Sequence, residues 1–260
     1  MIGAIIGDIV GSRFEFNNTD NFDFKLFAKG CAYTDDTICT IAVADAVLNG
    51  KDYGESLHRW CRRYPNPMGS YGFAFARWVA SNNPRPYYSF GNGSAMRVSA
   101  IGWLFDTLEQ VEEEATKSAL PTHNHPEGVK GAVATASAIF LARTEGKKAM
   151  LEAMKEYYSE WPEPRLGSFH FDETCQGTMP IVFGIIDKAT SFEEAIRYAI
   201  AVGGDSDTIG AIVGGIAEAI WGVPQQMCDD AMGYLTRDME HIIKQVYSHI
   251  NNIKLFVDRS

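Results

Sequence analysis

The sequence predicts an all-α fold in one domain over residues 1–260, with about a dozen helices. Three observations predict it. Apolar residues recur with helical period through most of the chain. Alternating strand patterns are nearly absent. The segment 207–221 is rich in Ala and Gly, and small residues along a helix permit close packing, so it reads as a central buried helix.

In chain order, 36–48 reads as a helix of small and aliphatic residues after a Thr/Asp start. Short helices follow at 53–63 and 71–81, then 94–105 and 108–119. Residues 126–143 form a long helix, opened by Pro126 in the first turn, where a missing N–H does no harm. Segments 147–159, 175–188, 192–202, 207–221, 223–235 and 239–256 continue the pattern. The start, 1–10, is apolar but short, lacks a basic region and is broken by Asp8, so it is no signal peptide. Segments 12–33, 82–93 and 160–175 read as loops, each rich in Asn, Pro, Gly or aromatics, and none looks like a domain boundary.

Composition excludes several classes of function. The chain has 260 residues, 46% hydrophobic and 12% aromatic, which argues against disorder. Its 33 acidic and 23 basic residues leave a formal charge of −10, a balance that repels nucleic-acid phosphate. No apolar run reaches the roughly 18 residues of a membrane span. The five cysteines are odd in number and contain no Cys-x-x-Cys pair, which fits reduced thiols in a cytoplasmic protein. No Cys/His cluster has zinc-ligand spacing.

Two motifs stand apart from this background. Thr34-Asp35-Asp36-Thr37 and Gly203-Gly204-Asp205-Ser206-Asp207-Thr208 each place two carboxylates and a hydroxyl at a helix start. Taken singly, either is an N-cap with acids that suit the helix dipole. Taken together, they put four carboxylates before helices of small, buried residues. Such a group resists ionisation unless a cation compensates it. Oxygen ligands without His or Cys select Mg²⁺, Mn²⁺ or Ca²⁺. A calcium EF-hand begun at Asp205 fails, because its fifth and twelfth positions are Ile209 and Ile216. An Asp-x-Asp phosphatase remains a weaker alternative, since that motif follows a buried strand.

Further signals are weaker alone. Ser89-Phe90-Gly91-Asn92-Gly93-Ser94 leads into a helix and reads either as a plain loop or as an anion cradle. Phe90 either stacks on a base or covers core. Arg97 is an anion partner or a structural donor. Glu15 ends Gly7-Asp8-Ile9-Val10-Gly11-Ser12-Arg13-Phe14-Glu15 and alone reads as a surface acid. Thr122-His123-Asn124-His125-Pro126 is a capped helix start, or His123 hydrogen-bonds a sugar hydroxyl.

As an ordered set spanning residues 3–222, these motifs resemble the ADP-ribosylglycohydrolase family, which includes the dinitrogenase reductase-activating glycohydrolase. The resemblance implies an all-α domain with a binuclear Mg²⁺ or Mn²⁺ site at the base of a cleft. It implies Thr34, Asp35, Asp36, Asp205, Asp207 and Thr208 as metal ligands. Glu15 falls on a loop glutamate that gates or positions substrate, Ser89 through Ser94 on the loop that holds diphosphate and ribose, and His123 on a ligand-contacting histidine. The implied reaction is hydrolysis at C1″ of the distal ribose, with Glu15, Asp36 and Asp205 as the catalytic acids. The substrate is ADP-ribose carried by a protein side chain or a small molecule. A non-catalytic ADP-ribose-binding module on the same fold is the alternative. The expected protein is a cytoplasmic monomer that binds neither nucleic acid nor membrane.

Overall fold

The computed structural model describes residues 1–250. The chain runs α1 (Ile2–Gly11), a 3₁₀ turn (Ser12–Phe14), α2 (Asp35–Asn49), α3 (Tyr53–Arg63), α4 (Phe73–Ala80), α5 (Gly93–Met96), α6 (Ser99–Leu104) and α7 (Leu108–Ala119). It continues through α8 (Pro126–Glu145), α9 (Lys147–Met154), α10 (Cys175–Lys188), α11 (Phe192–Ala201), α12 (Ser206–Trp221), α13 (Gln225–Met232) and α14 (Arg237–His249). Among the described residues, β pairing is confined to three isolated bridges. The all-α expectation holds, and no helix among them is long and apolar enough to cross a membrane.

The centre of the fold is an antiparallel pair, α1 against α12. Gly3 lies on Gly214, Gly7 on Gly210 and Gly11 on Asp207. A Cβ at Gly11 would stand 2.6 Å from the Asp207 Cα, and one at Gly210 2.6 Å from the Gly7 carbonyl oxygen. Both backbones therefore meet with no side chain between them, which confirms the close packing expected of 207–221. The free N–H groups at the start of α1 are satisfied by later elements. Gly3 N donates to Glu218 Oε2 (2.8 Å) and Ile2 N to the Tyr247 hydroxyl (2.8 Å).

Helix α1 was absent from the sequence reading. All ten of its residues are buried, so the segment has no polar face and therefore no 3.6-residue contrast. The expected helix 94–105 is two helices. Arg97 and Val98 leave helical geometry (ψ −6° and −1°), and the buried Arg97 Nη2 donates to the Ser118 carbonyl (2.7 Å) and the Thr122 hydroxyl (3.0 Å). The expected 147–159 helix ends at Met154, and 223–235 shortens to Gln225–Met232. The last expected helix, 239–256, starts at Arg237 and ends at His249; its positions beyond 250 lie outside the described residues.

Candidate metal centre and cleft

Three helix ends converge on one point. The N-terminus of α2 brings Asp35 and Asp36. The N-terminus of α12 brings Asp205, Asp207 and Thr208. The glycine contact with α12 holds α1 close enough for Asp8 to join them. The α2 start is fixed by Thr34, whose hydroxyl accepts from Asp36 N (3.2 Å). The α12 start follows Gly203 and Gly204, both in the left-handed region (φ 90° and 81°), where glycine is favoured. That turn aims Asp205 and Asp207 inward.

The carboxylates form two groups that share Asp207: Asp8, Asp36 and Asp207, and Glu15, Asp205 and Asp207. Within each group the oxygens lie within 4.8 Å of one another. Asp8, Asp36, Asp205 and Asp207 are all buried. Burial, then mutual repulsion, pushes the carboxyls of Asp36 and Asp207 well above the ordinary range. Burial likewise raises Asp35 and Asp205. Burial and the nearby Asp205 and Asp8 push Glu15 up to about 7.

Hydrogen bonds satisfy only part of this set. Asp8 Oδ2 accepts from the amides of Thr34 (3.0 Å) and Thr37 (3.1 Å), and Asp8 Oδ1 accepts from the Thr34 hydroxyl (2.7 Å). Asp36 Oδ2 accepts from the Thr208 hydroxyl (3.3 Å). Asp205 Oδ2 accepts from Asn92 Nδ2 (2.7 Å). Among the described residues, Asp36 Oδ1, Asp207 Oδ1 and Glu15 Oε2 are buried without a partner, and no basic side chain is ion-paired to them. Partnerless buried carboxylate oxygens crowded by like charge are a donor set suited to hard divalent cations.

These groups form the floor of a cleft of about 710 Å³. Glu15, Asp35, Asp36, Asp205, Asp207 and Thr208 line it. Asp35 is half-buried and stands beside the two tight groups rather than in them. Thr34 lies beneath the floor, its hydroxyl tied to Asp8.

One wall is the glycine loop. Ser89, Phe90, Gly91, Asn92, Gly93 and His123 line the cleft; Ser94 is fully buried behind it, its hydroxyl donating to Gly128 O (2.7 Å). Not every loop amide is free. Gly91 N donates to Ser89 Oγ (3.1 Å) and Asn92 N to Glu173 O (2.7 Å). The amides of Gly93 and Ser94 have no acceptor among the described residues. His123 packs under this loop; a Cβ on Gly93 would come within 3.2 Å of its Nε2. Burial and the nearby Arg97 hold the His123 imidazole well below its usual range, hence neutral. Its Nδ1 meets the Thr122 hydroxyl at 2.7 Å. His125 has the capping role, accepting from Glu127 N.

The loop 160–175 crosses between the two halves of the site. Phe169 N donates to Val202 O (2.9 Å), beside the Gly203 turn, and Cys175 N donates to Phe90 O (2.9 Å), on the glycine loop. It contributes Phe171 and Glu173 to the cleft. Phe16 and Phe171 stack at the mouth with centroids 6.1 Å apart.

Sequence reasoning left Asp8 out of the site. The signal available was a lone carboxylate inside an otherwise apolar run, which is costly unless partnered. Glu173, Phe171 and Tyr87 were also passed over, and no local motif marks them.

Clustered, unpartnered carboxylates on the floor of a cleft in an all-α protein are the donor set that a divalent cation would need. The sequence pattern of the ADP-ribosylglycohydrolase family matches residues 1–253, and the chain belongs to that family. It is similar to the ADP-ribosylhydrolase ARH3 of Homo sapiens, 23% identical across 92% of this chain and 90% of that protein. It is also similar to the ADP-ribosylarginine hydrolase Tri1 of Pseudomonas putida (strain GB-1), 24% identical across 86% of this chain and 70% of that one. A solved structure described as an ADP-ribosylglycohydrolase-related protein complex shares the fold. Its TM-score is 0.75 at 23% identity, covering 96% of this chain and 97% of its own. The phosphatase alternative loses its structural basis, because helix α11 rather than a strand precedes Asp205.

Proposed function

We propose that this chain hydrolyses the glycosidic bond at C1″ of ADP-ribose attached to a protein side chain or small molecule. The observation that carries the reading is the pair of partnerless buried oxygens, Asp36 Oδ1 and Asp207 Oδ1, where α2 and α12 meet on the cleft floor.

Thr34, Asp35, Asp36, Asp205, Asp207 and Thr208 would hold two divalent cations, Mg²⁺ or Mn²⁺, with Asp8 supporting Thr34 from beneath. When bound, such cations grip vicinal ribose hydroxyls and make water more acidic. The rest is the work of the chain. The oxygen of a water molecule bonds to C1″ as the bond from C1″ to the leaving group breaks. Its proton passes to a site carboxylate, Asp36 or Asp205, and on to the leaving group. The same carboxylates stabilise the positive charge that develops on the ribose ring. Glu15, on the cleft rim beside Asp205 and Asp207, positions the scissile bond.

The glycine loop Ser89–Ser94 and His123 would hold the diphosphate and its ribose. The free amide of Gly93 supports this, since it offers a donor without a competing partner. Neutral His123 serves as a hydrogen-bonding group rather than a charge. The chain carries the whole carboxylate set itself, so a monomer would suffice for the site, and its free thiols suit a cytoplasmic setting.

The test is release of free ADP-ribose from arginine- and serine-ADP-ribosylated peptides, with Mg²⁺ and then Mn²⁺. Release that stops on chelation and returns with the ion is expected. Binding of ADP-ribose without turnover of either peptide would instead favour a binding module.

A further inference from the structure

Asn92 sits on the glycine loop, but both hydrogens of its side-chain amide are engaged elsewhere. Nδ2 donates to Asp205 Oδ2 at 2.7 Å and to the Thr178 hydroxyl at 3.1 Å. Thr178 is fully buried on α10, and its own proton goes to the Asp172 carbonyl (3.2 Å). That direction leaves the Thr178 oxygen as acceptor and fixes which end of the Asn92 amide faces Asp205. The main chain of Asn92 is clamped too. Its N–H donates to Glu173 O, and its carbonyl accepts from Ala95 N (2.9 Å) and Met96 N (3.0 Å).

Asp205 needs such a partner. It is the N-cap of α12, outside helical geometry (φ −79°, ψ 74°), and it follows two glycines. Nothing in the local backbone orients its carboxylate. The two acid groups also differ in support. Asp36, in one, receives the Thr208 hydroxyl; Asp205, in the other, receives the Asn92 amide.

We infer that Asn92, held by Thr178, is a positioning residue that aims Asp205 and so sets the affinity of the cation at the Glu15–Asp205–Asp207 group alone. The inference rests on the two-cation reading above. Partners that orient a metal ligand typically change affinity about 10- to 100-fold when removed.

The experiment is a Mn²⁺ titration of the full chain, with free ion read by electron paramagnetic resonance, alongside steady-state kinetics on the peptide substrate that is cleaved. Wild type is expected to bind two ions. Asn92→Ala should keep one affinity and weaken the other about 10- to 100-fold. Its kcat should recover as Mn²⁺ is raised. Thr178→Val should move the same affinity by a smaller factor, and Thr178→Ser, which keeps the hydroxyl, should restore it; this pair serves if Asn92→Ala does not fold. Two ions bound by Asn92→Ala and Thr178→Val with wild-type affinities, or a lowered kcat that Mn²⁺ does not restore, overturns the inference while leaving the two-cation reading intact. Fewer than two ions in wild type overturns both.

Discussion

Replacing Gly7 by Ala tests how the fold builds the site. Gly7 lies against the Gly210 backbone, and an added Cβ would overlap its carbonyl group. Neither atom belongs to a flexible side chain, so the strain can be relieved only by moving α1 away from α12. Overpacking of this kind costs at the upper end of its usual range, about 3 kcal/mol. The movement would not be silent at the cleft. Asp8 is the next residue, and its bonds to the Thr34 and Thr37 amides are 3.0 and 3.1 Å long. A shift of roughly 1 Å takes both beyond hydrogen-bonding range. Urea unfolding should therefore show a lower midpoint with an unchanged slope. A Mn²⁺ titration of the folded variant should show weaker binding. Gly72→Ala is the control: it has open space and an ordinary φ of −53°, and should stay within about 1 kcal/mol of wild type. Wild-type stability and Mn²⁺ affinity in Gly7→Ala would refute the reasoning, since the helix contact would then not set the position of Asp8.

Metal-free protein should lose stability as pH rises. Burial lifts Asp8 from 3.8 to about 6, so the native state holds its proton more tightly than the unfolded chain, and the resulting cost, about 3 kcal/mol for this group, accrues between pH 4 and roughly 6. Thermal melts in chelator should give a higher Tm at pH 5 than at pH 7.5, and Mg²⁺ or Mn²⁺ should raise Tm mainly at the higher pH. Asp207→Asn removes the carboxylate shared by both groups; it should stabilise the metal-free protein at pH 7.5, abolish the cation-induced rise in Tm and reduce ADP-ribose release by at least about 100-fold. Glu15→Gln should leave Mn²⁺ binding at Asp36 and Asp207 intact, while lowering kcat about 10- to 100-fold. Gly93→Ala brings a Cβ within 3.2 Å of His123 Nε2 and should raise KM for the peptide substrate with little change in metal affinity, as read by the same titration.

What the sequence made legible was whatever local chemistry marks. The acids at Asp35–Asp36 and Asp205–Asp207 stand at helix starts beside Thr and Ser, and that pattern is visible without a fold. The small residues of α12 likewise announced a close helix contact. Its partner did not, because α1 is apolar on every side and a burial signal without contrast has no period. The amide of Asn92 was invisible in its role for a different reason. Its partner Asp205 lies 113 positions away, and only the tertiary fold brings the two together. The buried guanidinium of Arg97, where the expected helix splits, likewise finds its acceptor far along the chain, at the Ser118 carbonyl.

The same contact that sequence could not reveal explains why the site is poised for cations. The glycine seam has no side chains to pack, so α1 and α12 approach until their backbones touch, and Asp8 and Asp207 enter one carboxylate group as a consequence. Close backbone packing thus favours the fold while like charge in the site opposes it at neutral pH. Protonation relieves that opposition, and so do divalent cations, but only cations do so without disarming the carboxylates. The net charge of −10 therefore overstates how hostile the cleft is to a diphosphate. Two bound dications would offset about four of those charges, and the phosphates would meet the free amide of Gly93 rather than bare carboxylates.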